Sequence, residues 1–213
     1  NTELPYPTTF DDDYSTRELT AGNTEMTMDY FCREDMKMIP PKNLAEREKR
    51  KWLSYGFKRN ETVIVDSELS EIENRRAKFQ IYIKDYLATI KSVDDNIGRV
   101  LNYLEENNLS KNTIIIYASD QGFFIGEHGW FDKRFIYNES FKTPLLISWP
   151  ERIDPGIRIS KMVQNLDFAQ TFLDAAGINQ PIDMQGESLM PLLLGKEEVW
   201  NREAVYYHYY EYP

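Results

Sequence analysis

The sequence predicts an α/β layered fold with a mostly parallel central sheet flanked by helices. Three observations predict it. Residues 79–107 carry apolar side chains at helical spacing, residues 113–118 and 144–148 are short apolar runs of strand type, and residues 167–176 return to a helical pattern. A helix buries one stripe and a strand buries its faces, so elements alternating in this way settle as helices layered on a sheet.

Residues 1–78 read as an irregular and helical segment. Leu4-Pro5-Tyr6-Pro7 and Ile39-Pro40-Pro41 break regular structure, because proline fixes φ and lacks an amide hydrogen. Asp11-Asp12-Asp13 reads as a solvated acidic turn. Asn43 to Lys51 has helical composition with mixed charges. From Phe79 to Asn107, the residues Tyr86, Ile90, Val93, Ile97, Val100, Leu101 and Leu104 recur at steps of three and four and form one apolar face. Gly98 lies inside this helix at a cost of about 1 kcal/mol relative to alanine, and close packing against another element is the expected compensation. Asn107-Asn108 is the expected stop.

The run Thr113-Ile114-Ile115-Ile116-Tyr117-Ala118 has the continuous β-branched character of a strand buried on both faces. Pro144-Leu145-Leu146-Ile147-Ser148 is its expected neighbour, ended by Trp149-Pro150. Asp167 to Ala176 predicts a short helix with an acidic start and Gly177 as its stop. Met190 to Gly195 predicts a single packed helical turn, and Tyr206 to Tyr210 the start of a strand. Residues 79–200 are thus expected to be the C-terminal part of an α/β core. Residues 201–213 would begin a C-terminal strand or subdomain that is cut short.

The bulk numbers bound the function. Of 213 residues, 41% are hydrophobic and 28% charged, which suffices for a buried core. The net charge of −10 argues against a nucleic-acid partner and against adsorption to anionic membranes. It leaves anionic substrates open, because a few local cations override a net charge. The single cysteine, Cys32, cannot form an intrachain disulfide and does not fix the compartment. No apolar run approaches the roughly 20 residues of a membrane span. Asn-x-Ser/Thr triplets at Asn60, Asn108 and Asn138 matter only in a secreted eukaryotic protein.

In open α/β sheets ligands bind beyond the carboxyl ends of strands, which directs attention to the residues after Ala118. There Ser119-Asp120-Gln121-Gly122 places a carboxylate and an amide oxygen side by side, a donor pair that suits a hard cation such as calcium. Gly122 would let the backbone turn closely around a ligand. On their own these four residues read better as a polar turn after a strand. Gly126-Glu127-His128-Gly129-Trp130-Phe131-Asp132-Lys133-Arg134 follows, with one of only two histidines in the chain and two adjacent cations. His128 can be an ordinary loop histidine, and Lys133 and Arg134 ordinary surface charge. Beside a cation they would instead supply fixed positive charge for a sulfuryl or phosphoryl group.

Ser119-Asp120-Gln121-Gly122, Gly126-Glu127-His128-Gly129, Lys133 and Thr143-Pro144-Leu145-Leu146-Ile147 together resemble the C-terminal signature of the type I, formylglycine-dependent sulfatases of the alkaline phosphatase superfamily. Tyr82 to Tyr86, Val93 to Leu101, Asn165 to Gly177 and Gln185 to Leu189 resemble the flanking segments. The likeness is strong over residues 79–212 and weaker over 1–78. The Asp-Gln-Gly form is similar to polysaccharide sulfatases, including glucosamine-6-sulfatase-like enzymes.

The resemblance implies an alkaline-phosphatase-like fold, present here as a partial domain. It implies calcium held by Asp120 and Gln121, and Lys133 on the sulfate and its bridging oxygen. His128 would be a catalytic or substrate-side group and Arg134 a further substrate contact. It also implies a sulfated saccharide substrate and a periplasmic, secreted or lysosomal location. The family's nucleophile motif, Cys/Ser-x-Pro-x-Arg, has no match: Cys32 is followed by Arg33-Glu34-Asp35. The formylglycine and the paired aspartates of the metal site are therefore expected in a missing N-terminal part, and this chain alone is expected to be inactive. Two readings compete with an enzyme that removes sulfate from a carbohydrate. One is a phosphodiesterase or phosphonate hydrolase of the same superfamily; the other is a catalytically silent binding protein.

Overall fold

The structure, a computed structural model, describes residues 2–28, 44–50 and 69–208. Cys32, Ile39-Pro40-Pro41, Asn43, Lys51, Asn60 and residues 209–213 lie outside the described residues. Residues 46–50 are helical, in keeping with the helical composition read there. The chain forms two compact units, one within Asn1–Gly98 and Gln121–Lys142, the other within Arg99–Asp120 and Thr143–Tyr210.

The first unit contains α1 (Leu19–Gly22) and most of the long helix α2 (Glu71–Glu106). Helix α2 starts eight residues before the expected Phe79 because Ser70-Glu71-Ile72-Glu73 is a capping box. Glu73 Oε2 accepts from the Ser70 backbone N–H at 2.8 Å, and Ser70 Oγ accepts from the Glu73 backbone N–H at 3.3 Å. The stop at Asn107-Asn108 is as expected, with Asn108 in the left-handed region. Phe79 and Tyr82 of α2 are buried with Phe10, Met28 and Phe131. Phe10 and Phe79 meet edge to face at 5.1 Å, a geometry that contributes about 0.5–1.5 kcal/mol beyond area burial. The proline-broken start of the chain is held without a ladder: Gln80 accepts from the Leu4 N–H at 2.8 Å and donates to the Leu4 carbonyl at 2.7 Å. Further along α2 the apolar stripe stays open, with Val93 48% exposed and Val100 59% exposed. A Cβ on Gly98 would meet nothing within 4 Å, so the close packing expected there is absent among the described residues.

A short hairpin completes the first unit. Strand β2 (Phe124–Ile125) pairs antiparallel with β3 (Phe131–Asp132), and Thr27 bridges to Trp130. The one-turn helix α3 (Asn138–Phe141) follows. Phe124, Trp130, Met26 and Ala21 form a second buried cluster, with Tyr14, Phe135 and Tyr137 packed around it.

The second unit holds β1 (Ile115–Ala118) and β4 (Leu145–Ser148), where strands were expected. Their relation differs from expectation. They pair antiparallel, with Ile116 opposite Ile147 and Ala118 opposite Leu145. A parallel neighbour needs a crossover, commonly an α-helix, whereas residues 119–144 contain only one-turn helices and the β2–β3 hairpin and simply return the chain. Strand β1 is also not buried on both faces: Tyr117 is 44% exposed and its partner Leu146 66%. The pair is two-stranded among the described residues, so one face packs and the other stays open. On the packed face Ile114, Leu145 and Ile147 lie against Trp149, Leu189, Met190, Leu192, Leu193 and Trp200.

Helices α4 (Asp167–Ala175) and α5 (Met190–Leu193) match the two helical readings, and Gly177 follows α4 with φ 68°. Residues 206–208 are not in a strand. Asp167 is fully buried and carries much of this unit's order. Its carboxylate accepts from the Gln164 N–H at 2.7 Å, from the Glu187 N–H at 2.9 Å, and from both terminal nitrogens of Arg202. Burial pushes its carboxyl up, but the guanidinium and the two amides outweigh burial and hold it low. No described helix is long and apolar enough to cross a membrane.

Candidate functional site

The predicted site residues follow β1 in one stretch of chain and divide between the units. Asp120 belongs to the second; Gln121, His128, Lys133 and Arg134 belong to the first. The Asp120 carboxylate is exposed, with Ser119 Oγ at 3.4 Å. Its backbone is fixed: Asn165 Nδ2 donates to the carbonyls of Ser119 (3.2 Å) and Asp120 (3.1 Å). Gln121 is partly buried.

Gly122 makes a close approach, but to backbone. Its N–H donates to the Ser140 carbonyl at 2.9 Å, and a Cβ there would fall 2.2 Å from the Glu139 carbonyl oxygen. The turn at Gly122 therefore anchors the segment to α3.

The loop between β2 and β3 is built around His128. Gly126 opens it at φ 100°, where only glycine sits without strain. His128 itself is left-handed at φ 57° and buried. Three of its polar groups are engaged by the N-terminal segment. Its N–H donates to Thr9 Oγ1 at 3.0 Å, its carbonyl accepts from Tyr14 Oη at 2.6 Å, and its Nδ1 lies 2.9 Å from Asp12 Oδ2. Arg17 donates to the same Asp12 oxygen, from Nε at 3.0 Å and Nη2 at 2.8 Å, and Nη2 is 3.0 Å from His128 Nδ1. A carboxylate only accepts and a guanidinium only donates, so His128 Nδ1 lies between an acceptor on Asp12 and a donor on Arg17. Arg17 also donates to Tyr137 Oη at 2.6 Å and lies over the rings of Trp130 and Tyr137.

Asp12 is thus not the solvated turn residue that its acidic run predicted. Burial pushes its carboxyl up, but the Tyr14 backbone N–H, His128 and Arg17 outweigh burial and hold it at about 2. Asp12, Arg17, Thr9 and Tyr14 are the contributors that sequence reasoning missed. Nothing local marks them, since they lie more than a hundred residues from the loop they hold.

The two adjacent cations differ. Arg134 Nε donates to Asp132 Oδ2 at 3.0 Å, and Asp132 is buried with φ 91°. Lys133 between them is exposed. The loop therefore offers one exposed ammonium flanked by an internal ion pair.

Asp120 and Gln121 supply oxygen donors that fit a hard cation in chemistry but fill only part of a shell that takes six to eight oxygens. Among the described residues no group of three or more His, Cys, Asp or Glu could hold a metal.

The family described as N-sulphoglucosamine sulphohydrolase, C-terminal, matches residues 126–213. The N-acetylglucosamine-6-O-sulfatase of Bacteroides thetaiotaomicron is 42% identical over 232 residues, covering 100% of this chain and 41% of that protein. A solved protein in complex with its substrate D-glucosamine-2-N,6-O-disulfate aligns at TM-score 0.84 and 40% identity, over 100% of this chain and 47% of its own. The phosphonate monoester hydrolase of Silicibacter pomeroyi aligns at TM-score 0.54 and 29% identity, over 61% of this chain and 25% of its own. This chain thus spans less than half the length of each.

Proposed function

The chain belongs to the sulfatase family, matching its C-terminal region, and from that premise we propose that the full-length protein removes the 6-O-sulfate from a glucosamine unit of a sulfated saccharide. The observation that carries the proposal is likeness along the whole chain to a relative named for N-acetylglucosamine-6-O-sulfate hydrolysis. Such a role fits the degradation of glycosaminoglycans in a periplasmic, secreted or lysosomal setting. In the full-length fold, strands from the missing part would extend β1 into the mostly parallel sheet of an alkaline-phosphatase-like core. Residues 79–200 would form the C-terminal part of that core, and residues 201–213 would begin a further strand or subdomain.

Within this reading each residue has a distinct task. Asp120 and Gln121 contribute two oxygen ligands to calcium, which would polarise the sulfuryl oxygens when bound. Lys133 presents a fixed ammonium to the sulfate and to the bridging oxygen, where negative charge grows as the ester bond breaks. Arg134, oriented by Asp132, is a further substrate contact, and His128 a catalytic or substrate-side group. No stretch of this chain fits the nucleophile motif Cys/Ser-x-Pro-x-Arg, so its residues would bind the substrate and stabilise charge while the attacking group comes from outside it.

The test is sulfate release from 6-O-sulfated N-acetylglucosamine by the full-length protein, with and without a calcium chelator, in wild type and Asp120→Ala. The proposal expects turnover that the chelator abolishes and that Asp120→Ala reduces. Turnover indifferent to both would overturn the metal assignment; absence of sulfate release from any sulfated glucosamine would overturn the function.

A further inference from the structure

We propose that Asp12 and Arg17 are positioning residues that act through His128 to set the loop bearing Lys133. The inference rests on the reading of that loop as the sulfate-binding element. Its basis is how fully one residue is held. The His128 amide, carbonyl and ring are each bound by a different residue of the segment Thr9 to Tyr14, across sequence separations of 114 to 119. A loop that only needed to cover a core would be served by the apolar contacts of Phe124 and Trp130.

The bonds fix an unfavourable conformation. A histidine at φ 57° sits in a sparsely populated region, and such conformations persist only where the surroundings over-determine them. The path from His128 to Lys133 is stiff at each step. Trp130 is buried, stacks on Tyr14 at 5.6 Å, and is bridged through its backbone to Thr27. The Phe131 N–H donates to the Met26 carbonyl at 2.7 Å, and the Asp132 carboxylate is tied to Arg134. His128 is thus the first of a series of anchors that together fix the backbone leading to Lys133.

Arg17 completes the device. Its guanidinium shares Asp12 Oδ2 with the imidazole and is clasped by Tyr137, so the carboxylate cannot swing away from the ring. Replacing Asp12 by Asn keeps size and the acceptor for the Tyr14 N–H. It removes the charge that holds Arg17 against the ring.

The experiment is steady-state kinetics of the full-length protein on 6-O-sulfated N-acetylglucosamine, comparing Asp12→Asn, His128→Asn, the double variant and Lys133→Ala. Asn tolerates the left-handed backbone, so His128→Asn removes the ring without adding strain. Asp12→Asn and His128→Asn are each expected to lower kcat on the order of 10-fold with KM within about twofold, the pattern of a displaced rather than a deleted contact. The double variant should be no slower than His128→Asn, because Asp12 acts through the ring. Full kcat in either single variant alongside a slow Lys133→Ala overturns this inference alone, as does a double variant slower by the product of the two effects. Full kcat in Lys133→Ala overturns the reading of the loop and this inference with it. Should Asp12→Asn fail to fold, Arg17→Gln takes its place, with the same loss of kcat expected and full kcat overturning the inference.

Discussion

Arg134 Nε donates to Asp132 Oδ2 at 3.0 Å, closing an ion pair across the residue between them and leaving Lys133 as the exposed cation of the loop. Two cations adjacent in sequence thereby acquire different tasks. Lys133→Ala should lower kcat by roughly 10²-fold, the scale seen when a preorganised charge is lost, with a smaller effect on KM. Arg134→Ala should act chiefly on KM, since its head group is oriented by a neighbouring carboxylate. Kinetics of both variants in the full-length protein check this. Near-normal kcat in Lys133→Ala with abolished activity in Arg134→Ala would reverse the assignment.

Acid should unfold the protein through its held carboxylates. The Asp12 pKa is about 2 in the folded state against a usual 3.8. A depressed folded value contributes stability that is complete above the unfolded pKa and is lost as pH falls through the folded one. Asp167 is shifted in the same direction and adds to the same trend. Urea midpoints should therefore hold down to about pH 4 and fall between about pH 4 and 2. Asp12→Asn should flatten part of that fall; an unchanged profile would show that Asp12 is not held as the structure has it.

The buried clasp between Asp167 and Arg202 sets the stability of the second unit. Arg202→Ala leaves a fully buried carboxylate with only its two backbone donors, and removing one partner of a buried pair costs about 3–5 kcal/mol. A fall in the denaturant midpoint at unchanged slope is the expected readout. A shift within error would mean that the amides suffice.

Gly122→Ala should be destabilising despite the small change. The added methyl would sit 2.2 Å from the Glu139 carbonyl oxygen, in backbone that cannot yield as a side chain can. A loss of about 1–3 kcal/mol is expected, as for other overpacked sites. Chemical denaturation checks it, and a neutral result would show that residues 122 and 139–140 separate at little cost.

Much of the fold was legible because its signals are local. The 3.6 period located α2, the apolar runs located β1 and β4, and Gly177 marked the end of α4. The Ser70-x-x-Glu73 box would have placed the start of α2 had it been read. Strand direction was not legible, because 115–118 and 145–148 look alike whichever way they pair; only the lack of a crossover helix between them decides it. The open stripe from Ile90 to Leu101 shows the same limit from the other side, since the pattern predicts a packed face that nothing among the described residues covers. At the site, Asp120, Gln121, His128 and Lys133 stood out by spacing and rarity. Asp12 and Arg17 did not, since their meaning arises only when residues 9–17 fold against residue 128.

The most direct test of the account is the ratio of kcat/KM for a 6-O-sulfated glucosamine to that for an aryl phosphonate monoester, both measured with the full-length protein under one set of conditions. A saccharide sulfatase is expected to favour the sulfate ester by at least roughly 10²-fold, a margin of about 2.7 kcal/mol in transition-state binding. Equal rates, or a preference for the phosphonate ester, would contradict the sulfatase reading and return the protein to the phosphonate hydrolases of the same fold.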